Sequence, residues 1–316
     1  MSIIQIQHVS KRYRRVQALC DLSLEIPHGA TYGLIGPNAA GKTTLMRILA
    51  ALVIPSSGQV WFGNHEISQG SKAIQRKIGY MPEFFGVYPD FTCAEYLEFY
   101  AGIHGISYRK RTNIINDLLE VFDLSGQHNA LVETLSRGMK QRLCLARALV
   151  HDPEVLILDE PASGLDSRAR AELRELVRTL QDIGKTIIIS SHILFELAEI
   201  CTHIAIIRDG RLVTAGDRES VIEQVQGKRQ LEIHLLEQEY LDDAMALLKN
   251  FPTISNVTAD GKTAILADCT GDEQALQCIM ADLVSRGIPI VSFAPRASDS
   301  RLEQAFLHIL KGDHHV

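Results

Sequence analysis

The chain has 316 residues, enough for two domains, and its 46% hydrophobic and 22% charged content is that of a globular protein. A formal net charge of −6 argues against a nucleic-acid face as its main partner surface. No segment reaches the roughly 20 clean apolar residues of a membrane-spanning helix, because the most apolar region, 186–207, is broken by His192, Glu196, Glu199 and His203.

In chain order, IIQIQHV, ALCDLSLEI and TYGLIG alternate as strands do. The third runs into GPNAAGKTTLMRILAAL, a glycine-rich turn followed by a helical pattern. VIPSSGQVWFG then reads as a turn and strand, and KIGYMPEFFGVYPDFT, with its glycines and prolines, as a loop. Residues 92–150 are mostly helical in pattern. VLILD and TIIIS are short, fully apolar runs, as expected of strands buried on both faces of a parallel sheet, and a helix lies between them. This alternation predicts an α/β domain over 1–220, with a helical subdomain at about 84–150. Over 221–316 the order β-α-β-β-α-β predicts a small α+β ferredoxin-like domain, closed by an amphipathic helix, SRLEQAFLHIL. The six cysteines form no CxxC pair and read as free thiols of a reducing cytoplasm. The opening MSIIQIQHVSKRY does not read as a signal peptide.

Gly36-Pro37-Asn38-Ala39-Ala40-Gly41-Lys42-Thr43 matches G-x-x-x-x-G-K-[ST], and Thr44 follows. In such a loop successive backbone N–H groups curl around phosphates and the next helix points its positive end at them. Lys42 adds a mobile charge for the outer phosphates, and the Thr43 hydroxyl can ligate Mg²⁺. Ala39 stands where many such loops have glycine; if positive φ is required there, alanine costs about 1 kcal/mol. VLILD ends on Asp159, with Glu160 next. At the C-terminal edge of a buried strand, Asp159 reads as a Mg²⁺ partner through water, and Glu160 as the group polarising an attacking water. Taken alone, two acidic residues at a strand end are commonplace.

LSRGMKQR, 135–142, begins an apolar helix about twenty residues before Asp159. Together with the phosphate loop, it resembles the nucleotide-binding subunits of ABC transporters, whose signature is LSGGQ. Ser136 and Gly138 match; Arg137 and Met139 depart. As the first residue of a helix, Ser136 also reads simply as a cap. The resemblance covers about residues 3–220, and the remaining tail is similar to extensions on exporter ATPases of the ABC-2 kind. It implies an ATPase that pairs head-to-tail, most simply as a homodimer, each signature closing over its partner's phosphate loop. It further implies that Tyr13 stacks on adenine, that Ser163-Gly164-Leu165-Asp166 links the two ATP sites, and that His192 is the switch histidine at the terminal phosphate. Glu83 stands where many members have glutamine; it can still reach Mg²⁺ or the lytic water, without the amide's donors. The partners implied are integral membrane permease subunits, with the chain peripheral at the cytoplasmic face.

Seven of the nineteen aromatics lie between Glu83 and Tyr100: Phe84, Phe85, Tyr88, Phe91, Tyr96, Phe99 and Tyr100. Some are expected in the core, and the resemblance implies that the others line a groove for a permease helix. The alternative within the family is a soluble ATPase acting mechanically on nucleic acid or ribosomes. Such proteins usually carry a long coiled-coil insertion or a second cassette, and this acidic chain has neither. Dimer contact, regulation and partner docking all fit the tail.

Overall fold

The computed structural model describes residues 2–67, 71–83, 86, 88, 90–226, 229–270 and 273–295. The chain divides into two compact units, 1–221 and 222–316. In the first unit the elements are β1 (Ser2–Tyr13), β2 (Val16–Pro27), β3 (Thr31–Ile35), α1 (Lys42–Leu49), β4 (Ser57–Phe62), β5 (His65–Glu66), α2 (Lys72–Gln75) and β6 (Ile78–Met81). There follow α3 (Cys93–Ile103), α4 (Tyr108–Val121), α5 (Arg137–Leu149), β7 (Val155–Leu158), α6 (Ser167–Asp182), β8 (Thr186–Ser191), α7 (Leu194–Ala198), β9 (His203–Arg208), β10 (Arg211–Asp217) and α8 (Arg218–Gln226), the last running into the second unit.

Two sheets build the first unit. One is antiparallel, in the order β2-β1-β4-β5; the other has the order β10-β9-β3-β8-β7-β6, parallel except where β10 pairs with β9. Every residue of β3, β7 and β8 is buried, which is why these segments read as continuous apolar runs instead of alternating. Because β3, β7 and β8 are parallel and adjacent, their C-terminal ends emerge together, where ligands of open α/β sheets bind. Helix α6 turns Leu173, Val177 and Leu180 inward at helical spacing. Helix α3 starts at a reciprocal cap: Thr92 Oγ1 accepts from Glu95 N at 3.2 Å while Glu95 Oε2 accepts from Thr92 N at 2.8 Å, an arrangement worth about 1 kcal/mol.

One expectation is corrected. The segment KIGYMPEFFGVYPDFT opens with a strand, since β6 lies parallel to β7 with Ile78 and Met81 buried. The prolines and glycines that follow end the strand; they do not prevent it. The paired strands β9 and β10 were also unforeseen.

The second unit comprises β11 (Arg229–Leu235), α9 (Leu241–Leu248), β12 (Ile254–Asp260), β13 (Ala264–Cys269), α10 (Glu273–Ser285) and β14 (Ile290–Pro295), with the antiparallel order β12-β13-β11-β14. This is the ferredoxin-like arrangement. Its core alternates along the strands at Leu231, Ile233, Leu235 and Ile265, Ala267, Cys269, against Ala244, Leu248 and Ile279, Leu283 from the helices. The expected closing helix at 300–310 lies outside the described residues. All six cysteines are free, and only Cys278 is exposed. No helix among the described residues is long and apolar enough to cross a membrane.

Candidate functional site

The loop between β3 and α1 wraps one side of an open cleft of about 450 Å³, lined by Val16, Gln17, Ala18, residues 38–44, Glu83 and Glu160. That volume suits a small-molecule ligand. Two positions in the loop have left-handed backbone, Ala39 at φ 64° and Gly41 at φ 106°. Gly41 also passes so close to the neighbouring hairpin that a Cβ would fall 2.5 Å from Ala18 O. Ala39 adopts the positive φ and accepts its cost of about 1 kcal/mol. Lys42 is buried beneath the loop, where Nζ donates to Gly36 O at 2.7 Å and Pro37 O at 3.1 Å.

The ends of β7 and β8 bring the carboxylates to this loop. Thr43 Oγ1 and Ser190 Oγ both donate to Asp159 Oδ1, at 3.1 and 2.9 Å. Oδ2 of Asp159 is buried without a protein partner. Burial pushes the Asp159 carboxyl above its ordinary range, and Glu160's charge adds to this, against the Thr43 and Ser190 hydrogen bonds and the Lys42 charge. Glu160 has left-handed backbone at φ 47° and is held by three groups. Its N–H donates to Ser190 Oγ at 2.8 Å, Oε1 faces Lys42 Nζ at 3.1 Å, and Oε2 meets His192 Nδ1 at 3.0 Å. A strained, buried acid aimed by a lysine and a histidine is the kind of arrangement found at reaction centres.

A raised carboxyl costs stability above its unfolded-state pKa. That cost fades as pH falls through the folded-state value and is gone below the unfolded one. Asp159→Asn keeps an oxygen for Thr43 and Ser190 and removes the buried charge. The expected result is a nucleotide-free protein that melts at a higher temperature at neutral pH. Calorimetry at pH 7 and near pH 4 checks it, with the gain shrinking at the lower pH; a lower melting temperature at pH 7 would contradict the burial cost.

Lys42, Thr43, Asp159, Glu160 and His192 are thus gathered, with Glu83 lining the same cleft. Tyr13 ends β1, paired across the turn with Val16, which does line the cleft. Tyr13 is 41% exposed and lies under Lys11, whose Nζ stands 5.1 Å from the ring centroid. Ser136 caps α5, accepting from Met139 N at 3.3 Å, so the capping role is real. Neither Ser136 nor Gly138 lines the cleft. A Cβ at Gly138 would make only ordinary contacts, 3.5 Å to Ala169 Cβ and 3.8 Å to Leu165 Cδ2; packing within the chain does not demand glycine there. Ser190 was missed by sequence reasoning, although it sits two residues before His192 in TIIISSH.

Residues 19–163 match the model of the ABC transporter family. The chain is 36% identical over 255 residues to the Nod factor export ATP-binding protein I of Burkholderia orbicola, covering 81% of this chain and 84% of that one. It is 32% identical over 314 residues to the daunorubicin resistance ATP-binding protein DrrA3 of Streptomyces coeruleorubidus, covering 99% and 97%. Among solved structures it resembles cbiO1 from Clostridium perfringens, part of the ABC transporter complex cbiONQ, with TM-score 0.63, 25% identity and coverage of 71% and 94%. It also resembles a dimeric ATP-binding cassette in a post-hydrolysis state bound to ADP and Pi, with TM-score 0.63, 25% identity and coverage of 68% and 98%. The chain belongs to the ABC transporter family, as an ATP-binding subunit that hydrolyses ATP.

Proposed function

We propose that this chain is the ATPase of an exporter, acting as a head-to-tail homodimer at the cytoplasmic face of a membrane and driving separate permease subunits. The observation that carries the shared-site part is that the cleft around the phosphate loop is lined without Ser136 or Gly138. One subunit offers donors on one side of the terminal phosphate. The start of α5, with its positive end and a glycine that local packing does not require, suits the other side of a partner's phosphate. Two such contacts related by a two-fold axis form a closed pair.

In this reading Lys42 and the loop N–H groups bind the outer phosphates, and Tyr13 stacks on adenine beside Val16. Glu160 takes a proton from the attacking water, and His192 holds Glu160 and reaches the terminal phosphate. The oxygen donors fit a hard cation: the Thr43 hydroxyl and Asp159, with its unpartnered Oδ2. Mg²⁺ held there would neutralise phosphate charge, and Glu83 faces the same space. The export direction is supported by the names of the relatives at 36% and 32% identity.

A permease surface is supported on the helical subdomain. Tyr88, Phe91 and Phe99 pack with ring centroids 5.1–5.9 Å apart. Tyr88, Phe99 and Ile103 are 46%, 41% and 63% exposed, whereas Tyr96 is fully buried. Phe91, Phe99 and Ile103 border an open groove of about 730 Å³ along α3. Phe84 and Phe85 lie outside the described residues. Replacing Tyr88 and Phe99 together by Ser should abolish co-purification with the permease from detergent-solubilised membranes, since interface aromatics often contribute about 2 kcal/mol or more each. ATP affinity should stay within about twofold, because neither ring lines the nucleotide cleft. Full co-purification of the double variant would place the docking surface elsewhere. Fractionation of the unaltered protein with ribosomes or DNA would overturn the transporter reading.

We further propose that 1–220 is a self-sufficient ATPase domain and 221–316 an accessory domain with its own core. A chain ending near Val221 should remain folded and bind ATP with unchanged affinity, measured by circular dichroism and nucleotide titration. An insoluble fragment, or one that binds no ATP, would move the boundary.

A further inference from the structure

In the family signature LSGGQ the residue after serine is glycine; here it is Arg137. Its side chain does not project idly. Arg137 Nη2 donates to Ser163 O at 2.8 Å, and Gln141, one turn further along α5 and buried, donates Nε2 to the same carbonyl at 3.3 Å. A Cβ placed on Gly164 would stand 2.3 Å from Arg137 Cζ and 2.4 and 2.6 Å from its two terminal nitrogens. The guanidinium plane therefore covers the Gly164 backbone, which is left-handed at φ 69°. Two residues later Asp166 caps α6, with Oδ1 accepting from Ala169 N at 2.8 Å. The loop 163–166 is thus pinned at one end by α6 and at the other by the first turns of α5.

We propose that Arg137 is a positioning residue that joins the signature turn to loop 163–166, so that one subunit presents Ser136 and that loop to its partner's nucleotide as a single body. The inference rests on the shared-site reading above. A planar guanidinium that both donates to a carbonyl and covers a glycine does what a lysine cannot, because an ammonium has no plane to lay on the backbone.

The test uses the full chain and ATP. In Arg137→Ala, ATP affinity of the single subunit by equilibrium titration should match the parent, since Arg137 is not part of the phosphate cradle. Turnover at saturating ATP should fall about tenfold, the lower end for a charge-assisted hydrogen bond because the guanidinium is exposed. Arg137→Lys should recover only part of this. Gly164→Ala forces the guanidinium off its seat and also strains a left-handed backbone, so it should slow turnover at least as much, and the double variant should be about as slow as Gly164→Ala alone, as coupled neighbours are. In a Glu160→Gln background, Arg137→Ala should also weaken the MgATP-dependent dimer. Unchanged turnover in Arg137→Ala, full rescue by Lys, or strictly multiplicative effects of the two substitutions would overturn the proposal while leaving the shared site intact. If Glu160→Gln alone stays monomeric in MgATP, the shared-site reading fails and this inference falls with it.

Discussion

Glu160→Gln should bind ATP like the parent and hydrolyse it about 10²–10⁴-fold more slowly, the usual scale for losing a general base. The expectation follows from how the side chain is held. Glu160 is 8% exposed and sits between Lys42 Nζ at 3.1 Å and His192 Nδ1 at 3.0 Å, with its backbone fixed through Ser190. Glutamine has the same shape and reaches the same neighbours, so the cleft keeps its form. What it lacks is a carboxylate to accept the proton of the attacking water. Binding should be unharmed because Lys42 retains the carbonyls of Gly36 and Pro37 as partners. Phosphate release and nucleotide titration separate the two quantities. Turnover within about threefold of the parent would mean that another group serves as base.

Lys42→Ala should weaken ATP binding by about ten- to 150-fold, the equivalent of about 1.5–3 kcal/mol from charge-assisted hydrogen bonds. The structure adds a second consequence. Lys42 and Glu160 form an ion pair whose side chains are only 6% and 9% exposed. Removing the lysine leaves a buried carboxylate with His192 alone, and stranded charges of this kind destabilise a fold. The nucleotide-free variant should therefore also melt lower, by about 2–4 °C for each kcal/mol lost. Adding Glu160→Gln to Lys42→Ala should recover the melting temperature without recovering ATP affinity. An unchanged affinity in Lys42→Ala would count against the phosphate-loop assignment, and failure of the double variant to recover would count against the buried pair.

The parts of the site that could be read from the sequence are those whose physics is local. The phosphate loop is a contiguous run of residues in which glycine spacing, lysine and hydroxyl carry the chemistry between them. Asp159 and Glu160 were legible because VLIL is apolar at every position, which marks a strand buried on both faces and fixes where its carboxylates emerge. The ferredoxin-like order of the second unit was legible because each strand and helix has its own clear period. Ser190 was not legible: it matters because β8 lies beside β7 in parallel register, which places its hydroxyl on Asp159 and on the Glu160 N–H. Arg137 reads in sequence as a mere departure from a motif; its meaning comes from Ser163 and Gly164, 26 and 27 residues away, folded against it. Strand β6 was obscured by Gly79 within it and the turn residues beyond it, although Ile78, Tyr80 and Met81 are suited to a sheet.

Sedimentation of purified Glu160→Gln with and without MgATP tests the shared ATP site most directly. The substitution blocks the step that would release the nucleotide, so a site completed by two subunits should trap the closed pair. The expected result is a monomer of 35.1 kDa without nucleotide, converted by saturating MgATP to a species of twice that mass. A protein that binds MgATP fully and stays monomeric, with or without its permease partners, would contradict the account.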